Sequence, residues 1–217
     1  MFTKPVFINK NNKFGNNRWI VHSNKINRTV YLFSDLEYAN WLVVENDPSI
    51  KYFCEQPIII ESIFEDKIKK SIPDMYIQYV NGVEAMREIK YSVDISSERA
   101  KQQSFIQKSW CNKNNYKYEL VTEEHLITNP VYLSNLKLLS KVEIDIGLVN
   151  KFKETLDKYI NSKPNTVLEL SKEMNIEIEV ILQQIFCLIK VNYINSNIDE
   201  LFLGPLTEVW RDEAQIS

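Results

Sequence analysis

The segment SIPDMYIQYVNGVEAMREIKY, residues 71–91, decides the fold of this 217-residue chain. Two runs rich in apolar, β-branched and aromatic residues, 72–80 and 83–91, flank the dipeptide Asn81-Gly82. Asn-Gly favours a tight turn between antiparallel strands, because both residues tolerate a positive φ angle. The segment therefore predicts a central β-hairpin that turns at this dipeptide.

Three charged residues fall at the open end of this hairpin. Glu88 and Lys90 are two positions apart, so on a strand their side chains point to the same face of the sheet. Asp74 follows Pro73 on the first strand, and pairing about the turn brings it near Glu88. Two carboxylates and a lysine are therefore expected to converge at one edge of the sheet.

This set of residues is suited to metal-assisted hydrolysis. Asp74 and Glu88 offer hard oxygen ligands for Mg²⁺ or Mn²⁺, and the Ile89 carbonyl can add another ligand because its side chain faces the opposite way. Lys90 can then orient or help deprotonate the attacking water. A further carboxylate is expected from Glu37 on the first predicted helix. The pattern is typical of the PD-(D/E)-x-K nucleases.

A second interpretation of the same motif is an exposed ion pair. Glu-x-Lys on a strand often has no catalytic role, and D…E-x-K combinations arise by chance in charged proteins. The flanking residues are apolar, however, and a Glu and a Lys in an otherwise apolar strand are costly to bury without a purpose. This favours the catalytic interpretation.

The surrounding elements predict an α/β domain over residues 1–130, with a mixed sheet flanked by helices. A hairpin is expected over 19–33, and a helix after Ser34, where Glu37 has capping-box spacing. Further elements are expected from the local patterns: strands over 50–54, 57–63 and 118–121, a helix capped by Ser96 or Ser97 that runs to the Asn-rich stop at 112–115, and a short helix after Thr122.

The remaining chain predicts a helical connector over 131–163 and a winged-helix-like domain over 164–217. In the latter, two helical segments joined by a short turn precede a β-prone stretch, which is the order of a winged helix. Residues 164–217 contain three basic and nine acidic residues. We therefore expect this domain to bind protein rather than DNA.

The N-terminal 30 residues have the opposite charge. They contain no acidic residue and these basic ones: Lys4, Lys10, Lys13, Arg18, Lys25 and Arg28. Such a segment can contact DNA phosphates through charge alone, although a solvated loop explains it equally well.

Composition and spacing exclude several other classes of protein. With 44% hydrophobic and 25% charged residues, the chain is expected to fold around a core. No apolar run approaches the roughly 20 residues that span a bilayer, and no signal-peptide stretch is present, so a cytoplasmic protein without a membrane partner is predicted. The three cysteines and two histidines lack the spacing of a zinc site, and no glycine-rich loop indicates a nucleotide cofactor.

Several short motifs give the chain a specific resemblance. Residues 31–121 resemble the catalytic domain of TnsA-type endonucleases, the nuclease subunits of heteromeric transposases, and the resemblance continues into the C-terminal region. The matching motifs are Ser34-Asp35-Leu36-Glu37, Glu45-Asn46-Asp47-Pro48-Ser49-Ile50, Glu55-Gln56-Pro57, Pro73-Asp74, Glu88-Ile89-Lys90 and Tyr118-Glu119-Leu120-Val121-Thr122-Glu123.

The resemblance implies a restriction-endonuclease-like core that cleaves one DNA strand at each transposon end and leaves a 5′ phosphate and a 3′ hydroxyl. It also implies two partners, a TnsB-type transposase that cuts and joins the other strand and a TnsC-type ATPase that links the pair to target selection. Glu37, Asp74 and Lys90 take the catalytic positions, and Glu88 occupies a metal-site position.

Two other functions remain open from the sequence. The chain could be another PD-(D/E)-x-K nuclease, such as a restriction enzyme or a Holliday-junction resolvase. It could also be an inactive assembly subunit that holds DNA and partners.

Overall fold

The computed structural model describes residues 2–6, 17–64 and 67–212. The chain divides into two compact units, Met1–Thr128 and Asn129–Ser217, which are described separately below. None of the described helices is long and apolar enough to cross a membrane.

The first unit is an α/β domain. Its elements in chain order are β1 (Trp19–Ser23), β2 (Arg28–Leu32), α1 (Asp35–Asn46), β3 (Ile50–Glu55), β4 (Ile60–Phe64), β5 (Lys67–Ser71), β6 (Met75–Tyr79), β7 (Glu84–Ile89), a 3₁₀ turn (Ser92–Asp94), α2 (Glu98–Lys113), β8 (Lys117–Val121) and α3 (Glu123–Leu126).

The central sheet of this unit has four strands in the order β3-β6-β7-β8. β3 and β7 pair antiparallel with β6, whereas β8 runs parallel to β7 because helix α2 carries the chain back between them. Phe53, Tyr76, Ile77 and Met86 are fully buried in this sheet. The mixed sheet flanked by helices confirms the predicted α/β architecture and fits a restriction-endonuclease-like core.

The predicted hairpin is β6–β7, and its strands are shorter than the runs 72–80 and 83–91. The turn forms at Asn81-Gly82, where Gly82 has a φ of 86° and its N–H donates to the Tyr79 carbonyl at 3.0 Å. The first strand begins only after Asp74, since Pro73 has no N–H for the ladder.

Helix α1 begins where the sequence predicts. The Ser34 hydroxyl accepts a hydrogen bond from the Glu37 backbone N–H at 3.1 Å, which caps the helix. This cap also fixes the position of Glu37 in the first turn of α1.

A second hairpin, β4–β5, was only partly expected. The sequence predicts a strand over 57–63 but none over 67–71, because four of the latter five residues are lysine or serine. The hairpin packs on α2, and Phe64 meets Phe105 edge to face with ring centroids 5.5 Å apart.

The second unit, as described over residues 129–212, contains four helices and a small antiparallel sheet. Its elements are α4 (Pro130–Leu139), α5 (Ile146–Leu156), β9 (Asn165–Thr166), α6 (Val167–Met174), α7 (Ile178–Lys190), β10 (Asn195–Ser196) and β11 (Glu208–Trp210), with strand order β10-β11-β9.

One hydrophobic core joins the two predicted C-terminal segments. Val149 and Leu156 from α5 share it with Leu170 from α6 and Ile181 from α7. Helix α5 therefore packs as part of this unit, whereas the sequence analysis assigned it to a separate connector over 131–163. The apolar spacing of α5 indicated a helix but not the partner that covers it.

We predict that Gly82→Ala destabilises the first unit by about 1–2 kcal/mol, because an alanine at positive φ brings Cβ too close to its own backbone. No neighbouring atom crowds the position, so the loss measures backbone strain alone. Urea unfolding followed by tryptophan fluorescence is suitable, since Trp19, Trp41 and Trp110 all lie in this unit.

Gly204→Ala, in the second unit, is the control for a glycine-to-alanine change as such, and Trp210 of the same unit reports on it. Gly204 has ordinary backbone geometry and enough room for Cβ, so we expect no comparable loss. Equal unfolding curves for Gly82→Ala and the wild type would contradict the assigned turn.

Candidate active site

A cavity of about 670 Å³ lies at the open end of the β6–β7 hairpin. All the predicted site residues line it: Glu37, Asp74, Glu88, Ile89 and Lys90. Residues of α1, β5, the β6–β7 hairpin and α2 are among those that line it, so the cavity is built from separate parts of the first unit.

Asp74 is fixed at the start of β6 by backbone contacts on both sides. Its carbonyl accepts a hydrogen bond from the Gln56 N–H at 2.9 Å. Its carboxylate oxygen Oδ2 accepts one from the Ile89 backbone N–H at 2.8 Å. The second bond joins the two strands of the hairpin beyond the last paired residues, Met75 and Arg87.

Glu88 and Lys90 form a buried pair on the face of β7 that meets α2. Lys90 Nζ donates to Glu88 Oε1 at 2.6 Å, and the side chains are only 15% and 4% exposed for Lys90 and Glu88. The interpretation of an exposed ion pair is therefore wrong.

Two glutamines of α2 complete this arrangement. Gln103 Oε1 accepts from Lys90 Nζ at 2.9 Å, and Gln107 Nε2 donates to Glu88 Oε2 at 2.6 Å. Sequence reasoning missed both, because it described α2 by its apolar and basic positions. The available signal was their spacing of four residues, which places them on one face of the helix.

Glu37 reaches the cavity from the first turn of α1. Its carboxylate accepts from the Phe33 backbone N–H at 3.0 Å, so it takes part in the capping arrangement of the helix. The negative charge of Glu37 nevertheless repels Asp74 and helps to raise the pKa of the Asp74 carboxyl group.

The pKa of Asp74 is raised well above its ordinary value. Desolvation by the surrounding protein is the largest cause, and repulsion from Glu88 and Glu37 follows; the Ile89 N–H and Lys90 oppose the shift without cancelling it. At Asp74, repulsion from two neighbouring carboxylates thus outweighs the attraction of Lys90. This is an excess of negative charge that a bound cation would relieve.

The donor atoms at the cavity are of the kind that Mg²⁺ and Mn²⁺ prefer, carboxylate and carbonyl oxygens without thiolate or imidazole. Among residues 2–6, 17–64 and 67–212, however, no group of three or more His, Cys, Asp or Glu side chains is assembled to hold a metal. The oxygen donors and the negative charge around Asp74 therefore suit Mg²⁺ or Mn²⁺, but the described side chains are not arranged as a complete set of metal ligands.

The basic N-terminal segment is partly used for structure. Lys25 Nζ donates to three backbone carbonyls around the end of α1, at 2.8, 2.5 and 2.9 Å. Arg28 pairs at 2.5 Å with the buried Glu55. Lys10 and Lys13 lie outside the described residues. Contact of this segment with DNA stays a prediction. Because Lys25 and Arg28 are engaged within the protein, fewer basic side chains support it than the sequence indicated.

Helix α2 also carries lysines beyond the Glu88-x-Lys90 motif, among them Lys101 and Lys108. Lys101 pairs with Glu98 at 2.8 Å on an exposed part of the helix, and Lys108 is exposed. Neither lines the cavity. Their positions are those of a solvated helix face.

The fold and this cavity together define an α/β nuclease-like domain with a carboxylate–lysine site. Residues 47–123 match the family model described as TnsA-like endonuclease N terminal. The matched segment runs from the end of α1 to the start of α3 and includes Asp74, Glu88 and Lys90, while Glu37 precedes it. The match confirms the resemblance to TnsA-type endonucleases over this segment. No curated protein matches the chain.

We predict that Asp74→Asn makes the protein more stable than the wild type at pH 8 in EDTA. Because the pKa of Asp74 is raised in the folded state, its contribution to stability is complete below the unfolded-state pKa and is lost as the pH rises through the folded-state pKa. Asparagine does not ionise, so the variant does not lose this stability as the pH rises. Its side-chain oxygen can still accept the hydrogen bond from the Ile89 N–H.

The measurement is Tm by calorimetry at pH 8 and at pH 4. We expect the variant to gain about 2–4 °C at pH 8, which corresponds to ~1 kcal/mol for a chain of this size, and to gain little at pH 4. Asp94→Asn, at an exposed carboxylate of the same cavity, is the control and should change Tm little at either pH. A lower Tm for Asp74→Asn at pH 8 would contradict the charge excess.

Proposed function

We propose that this protein is the nuclease subunit of a heteromeric transposase and that it hydrolyses one DNA strand at each transposon end with the help of Mg²⁺ or Mn²⁺. The observation that carries the proposal is the charge excess of Glu37, Asp74 and Glu88 around Lys90, inside a cavity whose β strands belong to the TnsA-like segment.

Asp74, Glu88, the Ile89 carbonyl and Glu37 are the residues that would hold the metal ion. When bound, such an ion lowers the pKa of a coordinated water and withdraws charge from the phosphate. Asp74 and Glu88 are the direct ligands in this proposal, since Asp74 immediately precedes β6 and Glu88 lies on β7 of the same hairpin. Glu37 comes from α1 and acts through water.

Lys90 orients the attacking water and offsets the charge of the phosphate. An ammonium group has three N–H donors, and two of those of Lys90 are used by Glu88 and Gln103. The third is available for a water or a phosphate oxygen in the cavity. Water attacks phosphorus, the bond from phosphorus to O3′ breaks, and O3′ takes up a proton. The products are a 5′ phosphate and a 3′ hydroxyl.

The second unit is proposed as a winged-helix-like domain that binds protein. Its helix α7 corresponds to the helix that reads DNA in winged-helix proteins, yet it begins with an acidic turn, and Lys190 at its end donates to the Val142 carbonyl at 2.9 Å. Apolar side chains between β10 and β11 are exposed, among them Phe202 and Leu206. These features favour a TnsC-like ATPase over DNA as the partner of this unit.

Cleavage is proposed to require the TnsB-like transposase. The described part of the first unit offers little unengaged basic charge along its N-terminal segment, so DNA affinity from charge alone is expected to be weak. A partner that binds the transposon end would supply the missing affinity and place the scissile phosphate in the cavity.

Lys90→Ala is expected to reduce nicking of a transposon-end substrate by at least about 100-fold in the presence of the transposase, because it removes the group that orients the water. The strand break is measured on a denaturing gel with one labelled strand. Lys101→Ala, which removes a lysine of the exposed face of α2, is the control and should nick like the wild type. Equal nicking by Lys90→Ala and the wild type would rule out the proposed site, provided circular dichroism shows both folded.

The ligand assignment predicts an order of metal affinities. Asp74→Ala is expected to abolish Mn²⁺ binding in a calorimetric titration, whereas Glu37→Ala weakens it less, because a ligand that acts through water contributes less. Asp94→Ala serves as the control for loss of a nearby charge. A larger effect of Glu37→Ala than of Asp74→Ala would overturn the assignment.

A further inference from the structure

Helix α2 presents two uncharged amide side chains to the catalytic pair. Gln103 and Gln107 are four residues apart, so they lie one above the other on the same face of the helix. Gln103 contacts Lys90, and Gln107 contacts Glu88. Each member of the buried pair on β7 therefore has its own partner on α2.

Gln107 is fully buried, and its hydrogen bonds are only half satisfied. Its Nε2 donates to Glu88 Oε2 at 2.6 Å and to Ser71 Oγ at 2.9 Å. Its Oε1 has no hydrogen-bond partner in the described part of the chain. The opposite amide orientation would place this oxygen against the Glu88 carboxylate, so the present orientation is the one that the charge requires.

The hydrogen bonds of Gln107 are directed at Glu88. Its Oε1 is left without a partner in the described part of the chain, which is unfavourable, while its Nε2 satisfies Glu88 Oε2, a buried acceptor that an apolar side chain would leave without this donor. What Gln107 provides is a fixed partner for one oxygen of Glu88. With Oε2 occupied by Gln107, the oxygen left for a ligand in the cavity is Oε1, which also accepts from Lys90.

Gln103 provides a fixed hydrogen-bond partner for Lys90. Its Oε1 and Glu88 Oε1 accept from Lys90 Nζ at 2.9 and 2.6 Å, so the ammonium is held between a strand and a helix. A lysine side chain has many rotamers in solution, and these two acceptors restrict them to an orientation in which the remaining donor is available to the cavity. Gln103 itself lines the cavity, next to the place that the scissile phosphate would occupy.

Neutral amides suit these positions for an electrostatic reason. A carboxylate at 107 would repel Glu88, and an ammonium at 103 would repel Lys90. Amides donate to one group and accept from the other without changing the negative charge that attracts a cation.

We propose that Gln103 and Gln107 are positioning residues of the nuclease centre: Gln107 orients Glu88 toward the metal ion, and Gln103 orients Lys90 toward the attacking water. Neither is a ligand or an acid–base group. The catalytic part of this inference rests on the proposed function, while the orienting contacts themselves stand on the geometry of α2 and β7.

The test uses the full-length protein with Gln103→Met, Gln107→Met and the conservative Gln103→Glu, which retains an oxygen acceptor for Lys90. Gln102→Met is the matched control, because Gln102 lies on the same helix without lining the cavity. Three quantities are measured for each variant: kcat and KM for nicking with the transposase present, Mn²⁺ affinity by calorimetry, and the Lys90 ammonium signal in ¹⁵N NMR, which persists only when hydrogen bonds slow proton exchange.

Gln107→Met should weaken Mn²⁺ binding about 10-fold or more and should also lower Tm, because Glu88 Oε2 loses its buried donor. Gln103→Met should lower kcat about 10-fold, with KM for DNA unchanged, and should lose the ammonium signal. Gln103→Glu should recover the signal and most of kcat. Gln102→Met should behave like the wild type in all three measurements.

Wild-type kcat and Mn²⁺ affinity in both methionine variants would overturn the proposal. So would a loss of activity that follows a fall in Tm while Mn²⁺ affinity and the ammonium signal stay unchanged, since that is the result of a merely structural role. If the wild type itself fails to nick, the proposed function is wrong; the ammonium signal of Gln103→Met and Gln103→Glu then still decides whether α2 orients Lys90.

Discussion

Like charges held close together are the constraint on which the first unit depends. Asp74 lies just before β6 and Glu88 on the neighbouring strand β7, Glu37 approaches them from α1, and Lys90 is the cation that pairs with Glu88. Repulsion of this kind favours separation of the groups. The fold opposes it with directed hydrogen bonds, one from the Ile89 N–H to Asp74 and one from Gln107 to Glu88.

A second polar network strengthens the same strands away from the cavity. Arg87 donates through Nε and Nη2 to Glu119 on β8, at 3.0 and 2.8 Å, and through Nη1 to Asn40 on α1 at 2.8 Å. Tyr79 on β6 also donates to Glu119, at 3.0 Å. Side chains 87 and 88 alternate across the sheet, so one face of β7 ties β8 and α1 to the hairpin while the other face carries the site. Rigid support of this sort is what keeps reacting groups in place.

Local signals in the sequence were sufficient for the hairpin and for the charged site. Asn81-Gly82 specified the turn, and the two-residue spacing of Glu88 and Lys90 specified their common face. Ser34 specified the start of α1 through its cap. In each case the physical cause lies within a few residues of the chain, so the prediction did not need the tertiary structure.

Features that depend on distant partners could not be predicted in the same way. Strand β5 consists mostly of lysine and is stabilised by pairing with β4, so its composition gives no strand signal. Gln103 and Gln107 acquire a role only when α2 packs over β7. The structural use of Lys25 depends on carbonyls at the end of α1 that lie about twenty residues further along the chain.

The most direct test of a metal-dependent nuclease centre is the position of the ion itself. Anomalous diffraction from crystals grown with Mn²⁺ should show a peak in the cavity, at about 2.0–2.3 Å from oxygens of Asp74 and Glu88 and from the Ile89 carbonyl. Binding there would show that the charge excess serves a cation. A cavity without an anomalous peak, at a Mn²⁺ concentration that supports strand cleavage, would contradict the account.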